Sequence, residues 1–206
     1  ENAFQNSPEF KVLLFEPMGA PKPEEMMKNL KVPNMTKGRA ALINLIRQYL
    51  AAVMDPFVTL LEIHKLMYFM QMSGEDLKLN FEKGPYGPYA KNLRHVLNVI
   101  EGHFIQGYGD AEDNPDKQIE VLPEASEKAE SYLKNYSETK SHFERVSDLI
   151  QGFETPFGME LLATVHWVVE KGGAQSLSEA QEKIYDWSDH KHMFQTQQIQ
   201  IAWNIL

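Results

Sequence analysis

The stretch LLEIHKLMYFMQMSGEDLKLNFEKGPYGPYAKNLRHVL, residues 60–97, decides how the rest of the chain is read. It opens with Leu60, Leu61, Ile63, Leu66, Met67, Phe69 and Met70, which leave a helix little polar face and predict one buried on most sides. Ser73-Gly74 ends that helix, with Gly74 free to take a left-handed cap conformation. Leu77, Leu79 and Phe81 then alternate with Lys78, Asn80 and Glu82, the period of a half-buried strand. Gly84-Pro85-Tyr86-Gly87-Pro88-Tyr89 reads as a stiff turn, because each proline fixes φ and lacks an amide donor. Pro88 suits the first turn of a second helix over 89–100. Such a turn aims Tyr86 and Tyr89 in fixed directions, either to cap the core or to present a docking surface.

Outward from this centre, the composition is that of an ordinary globular chain. It has 206 residues, 43% hydrophobic and 24% charged, enough for one sizeable core. There are no cysteines, which excludes disulfides, thiol catalysis and cysteine-ligated zinc. No apolar run is long enough to span a bilayer and no signal-peptide pattern is present, so a cytoplasmic location is expected, without membrane contact.

The formal charge of −9 is unevenly placed. Residues 101–130 hold nine acids against Lys117 and Lys128, a net of −7. Phosphate binding needs a clustered positive surface, so direct nucleic-acid binding is not expected. A local negative patch favours a basic partner; the plainer reading is a solvated loop and helix face.

Residues 10–16 form a strand-like run stopped by Pro17, and 19–23 have linker composition. A compact domain begins near Met35, with Thr36 as an N-cap. After the central stretch, 118–122 alternates and is expected to pair antiparallel with 77–83. Helices follow from Pro123, over 137–150, over 157–169, from a Ser178 cap through Trp187, and over 196–206. The expectation is a mainly α fold: a compact domain of about seven or eight helices with a small antiparallel β-hairpin.

Catalytic patterns are sparse. Asp189-His190-Lys191-His192 could hold a metal, but histidines two apart do not share a helix face, and no metal site or cofactor is expected. Glu62 and His64 could act as an acid–base pair, although a buried, paired polar residue is the commoner outcome.

Four stretches carry a resemblance: DPFVTLLEIHKLMYFMQ (55–71), KGPYGPYAKNLRHVL (83–97), IEGHFIQGYGD (100–110) and GFETPFGMELLATVHWV (152–168). Through them the chain resembles the C-terminal antitoxin domain of DarG, from the DarT/DarG toxin–antitoxin pair. The opening segment is similar to the last strand of a macro domain, so the resemblance implies a remnant of that domain plus linker at 1–34 and a toxin-neutralising domain at 35–206. It further implies a full-length protein whose macro domain removes ADP-ribose from DNA, a fragment that is not itself an enzyme and has no catalytic residues, and a partner, DarT, that uses NAD to modify thymine in single-stranded DNA.

A toxin that holds single-stranded DNA needs a basic groove with stacking positions. The expected inhibitory surface mimics DNA. Asp110, Glu112, Asp113 and Asp116 stand in for phosphates, and Tyr86, Tyr89 and Tyr108 for bases. The alternative is a nucleic-acid-binding module that recruits the hydrolase to ADP-ribosylated DNA, supported locally by Lys83, Lys91 and Arg94.

Overall fold

The computed structural model describes residues 31–109 and 113–206. The expected strand at 10–16 and the linker lie outside the described residues, as do Asp110 and Glu112. Among the described residues there are eight α-helices and two small antiparallel sheets, so the fold is mainly α as expected.

Helix α1 (Lys37–Val53) starts where the Thr36 side chain accepts the Arg39 amide, and its apolar face is buried. A two-residue strand, β1 (Val58–Thr59), leads directly into α2 (Leu60–Met72). Every residue from Leu60 to Met70 is buried, as the near-continuous apolar run predicts. The start of α2 is locked by a capping box. Thr59 Oγ1 accepts the Glu62 amide, while Glu62 Oε2 accepts the Thr59 amide at 2.8 Å.

The predicted strand at 77–83 forms only in its second half. Leu79 is buried outside any ladder, and its N–H and C=O are both taken by the side-chain amide of Gln71, each at 2.9 Å. Asn92 does the same for the Lys78 carbonyl and the Asn80 amide. Two side chains therefore substitute for a neighbouring strand. Ladder pairing begins with β2 (Phe81–Gly84), which folds back on β3 (Gly87–Ala90) through the two-residue loop Pro85–Tyr86. The glycine-proline turn thus contributes a strand of its own. Pro88 lies inside β3 instead of opening a helix, and α3 (Leu93–Ile100) begins four residues later than expected. Proline is tolerated because β3 is an edge strand.

Strand β4 (Ile105–Gln106) and β5 (Gln118–Val121) complete a second sheet of order β1-β5-β4. The expected pairing of 118–122 with 77–83 is replaced by Val58↔Ile119 and Ile105↔Val121. Helices α4 (Pro123–Leu133), α5 (Ser137–Ile150) and α6 (Pro156–Glu170) follow. Then come α7 (Leu177–Tyr185), a 3₁₀ turn (Asp189–Met193) and α8 (Thr196–Ile205). Ser176, not Ser178, caps α7 by accepting the Glu179 amide. Helix α2 packs on α1, α5 and α6, and the hairpin lies across α2 and α6. Buried Glu75, just after α2, bonds His142 of α5 at 2.8 Å and pairs with Lys37 of α1 at 2.8 Å.

Candidate functional site

The hairpin is held down by polar side chains that rise from beneath it. Lys65, fully buried on α2, donates to the Pro88 carbonyl at 2.8 Å. Trp187 donates its indole N–H to the Gly84 carbonyl at 2.9 Å, and Lys83 lies 4.9 Å from the same ring's centre. The Ala90 amide donates to His64 Nδ1 at 3.3 Å. Gly87 sits at φ +95°, and a Cβ there would stand 2.9 Å from Thr164 Oγ1, so β3 rests its backbone directly on α6.

Below this lies a buried charge cluster. Lys191, from the 3₁₀ turn, pairs with Glu160 of α6 and donates to Thr164 Oγ1 at 3.2 Å. His190 Nε2 reaches Glu160 Oε1 at 3.1 Å. Burial, and then the nearby Lys191 charge, push the Lys65 ammonium down to about 7. Burial, with Lys65 adding to it, pushes His64 down to about 3, so its imidazole is neutral near pH 7.

The acidic turn closes the arrangement from the other side. Its backbone caps the start of α2, with the Lys117 carbonyl accepting the Leu60 amide and the Pro115 carbonyl the Leu61 amide. That contact brings Asp113 to the hairpin, where Tyr89 donates its hydroxyl to Asp113 Oδ2 at 2.9 Å. The Tyr89 ring stacks on His64 with centroids 4.4 Å apart. Between α2, the hairpin and the acidic turn is a cavity of about 260 Å³, walled by Leu60, His64, Lys65, Tyr86, Tyr89 and Asp113 among others.

Of the sequence-predicted site residues, the structure brings Tyr86, Tyr89 and Asp113 together. Tyr86 is exposed and meets His190 edge-on at 5.0 Å. Asp116 is exposed on the same turn. Tyr108 is a correction. Its ring is fully buried and cannot stack on a partner from there. Glu101 accepts the amides of Gly107 and Tyr108 and draws the loop inward, and Lys117 lies over the ring at 5.5 Å.

Glu62 and His64 do not form an acid–base pair. Glu62 is committed to Thr59 and to the Tyr49 hydroxyl at 2.6 Å, and His64 to Ala90. The histidines of the 189–192 cluster part, His190 to Glu160 and His192 to a stack on Tyr185. Lys65, Trp187 and the Lys191–Glu160 pair were not singled out from the sequence. The one available signal was a lysine in the middle of a helix with no polar face.

No family model matches the chain. Over 195 residues, 95% of its length, it is 40% identical to a protein of Thermus aquaticus named DNA ADP-ribosyl glycohydrolase. The chain is similar to DNA ADP-ribosyl glycohydrolases. Proteins of the same name from Mycobacterium tuberculosis and Mycobacterium bovis are 33% identical over 202 residues, 92% of the chain. The chain spans about half the length of these relatives, 53% of the first and 56% of the other two. This similarity supports the link to DarG drawn from the sequence. It also corrects the expectation that the fragment is not an enzyme, because relatives matched over nearly the whole chain carry an enzyme's name. Among the described residues, no helix is long and apolar enough to cross a membrane.

Proposed function

We propose that the chain is part of a DNA ADP-ribosyl glycohydrolase of the DarG type, and that its helical portion, 35–206, also binds and blocks a DarT-type DNA ADP-ribosyltransferase. The hydrolase reading follows the relatives' name. The antitoxin reading rests on the resemblance and on one juxtaposition: Tyr86 and Tyr89 on a pinned hairpin, bridged to Asp113 of the acidic turn. Rings and carboxylates side by side imitate the base-and-phosphate alternation of single-stranded DNA, which a toxin groove of basic and aromatic residues would accept. The pinning matters because a surface fixed before encounter loses little conformational entropy on binding.

Calorimetric titration of the chain into a DarT-type toxin, with and without a thymine-containing single strand, tests the antitoxin reading. Tight binding that the oligonucleotide competes away is the expected result. Binding indifferent to DNA moves the contact away from the toxin's DNA site, and no binding removes the antitoxin reading. The recruitment alternative is weakened by Lys83, whose ammonium already lies over Trp187. A gel shift of DNA by the chain alone at low salt would restore it. Release of ADP-ribose from modified DNA by the chain tests the hydrolase reading independently.

A further inference from the structure

The walls of the 260 Å³ cavity carry an unequal set of hydrogen-bonding groups. His64 accepts the Ala90 amide at Nδ1, so its neutral ring must hold the proton at Nε2. That Nε2–H has no acceptor among the described residues, although His64 is only 4% exposed. Lys65 places one of its three N–H bonds on Pro88 and finds no further acceptor there. The inner wall is therefore rich in donors. Asp113 stands at the rim, half engaged by Tyr89 and with no partner for Oδ1 among the described residues, and supplies an acceptor. Leu60, Leu61, Pro85 and Pro115 add apolar surface to the wall. An apolar cavity of about 150 Å³ is enough to hold benzene, so this one has room for a substituted ring.

We propose that this cavity is a binding site for a small planar ring bearing an amide, its carbonyl accepting from His64 and its N–H donating to Asp113. A bare hydrocarbon would leave the buried His64 donor unmet. A carboxylate would satisfy the donors but face Asp113. An amide, exocyclic or within the ring, meets both walls at once. The site shares Tyr86, Tyr89 and Asp113 with the toxin-binding reading but does not depend on it, and its test uses no toxin.

The test is an NMR titration of the whole chain with four probes: benzamide, uracil, benzoate and toluene. Benzamide or uracil is expected to shift the resonances of His64, Gly87 and Tyr89 at millimolar concentration, and the stronger of the two shows whether the amide lies outside or inside the ring. Asp113→Ala, at an exposed position, is expected to weaken that binding about tenfold. His64→Phe should weaken it further, with its melting temperature checked for loss of fold. Toluene binding as tightly as the amides would reduce the site to an apolar hole and overturn the proposal. So would benzoate binding more tightly than either amide, or no shift from benzamide and uracil at tens of millimolar.

Discussion

Lys65 shows how one residue can serve the fold at a cost. Its ammonium is buried with a single backbone carbonyl as partner and a second ammonium, Lys191, nearby. The unfolded chain holds that proton up to the ordinary lysine range near 10.5, the folded chain only to about 7. Between these values the unfolded state binds more protons, so this residue makes stability rise with pH across that window. Lys65→Met keeps the length of the side chain and removes the titration. Urea melts of both proteins from pH 6.5 to 9.5 should show a wild-type stability that climbs relative to the variant, by at most about 1.4 kcal/mol per pH unit. Parallel curves would mean that Lys65 is not held at that depressed value. Gly87 is a second sensitive point. Its φ of +95° and the Thr164 contact predict that Gly87→Ala destabilises by about 1–3 kcal/mol, read in the same melts.

At the scale of elements, helix α2 was legible because its apolar residues leave no polar stripe, and a helix of that kind can only be buried. The ends of α5 were legible for a similar reason, a clear periodic face bounded by Ser137 and Ile150. The hairpin was not. Gly84 and Pro88 are breakers by local propensity, and what makes a strand of them is non-local: Lys65 takes the Pro88 carbonyl and Trp187 takes that of Gly84. Tyr108 is not legible as buried from sequence because its burial depends on Glu101 and on Gly107, where a Cβ would collide with the Gln118 carbonyl. Only the docked β5 reveals that crowding. If Trp187 pins the hairpin, Trp187→Phe should raise amide exchange in β2 and β3, through loss of about 0.5–1.5 kcal/mol of local protection, with α1 and α4 unchanged. Equal exchange throughout would show that packing alone seats the hairpin.

At the scale of the whole molecule, the net charge of −9 sets how a partner is met. Most of it lies in 101–130, and the structure fixes part of that segment by capping α2 with it. On the proposed antitoxin reading, replacing Asp110, Glu112, Asp113 and Asp116 together by Asn and Gln is expected to slow toxin association and flatten its dependence on salt, as measured by stopped-flow at several ionic strengths. An unchanged slope would place the inhibitory surface elsewhere. Composition alone located this charge; that its loop also buttresses the tyrosines required the backbone contacts to Leu60 and Leu61.

The hydrogen bond from Trp187 to Gly84 joins residues 103 apart in the chain. During synthesis at about 5–20 residues per second, the hairpin must therefore wait roughly 5–20 s for the segment that seats it. For that interval the tyrosine hairpin is held from α2 alone, through Lys65 and His64, and the surface it presents matures only when Trp187 arrives. Early degradation or capture of the nascent chain would strike that edge first.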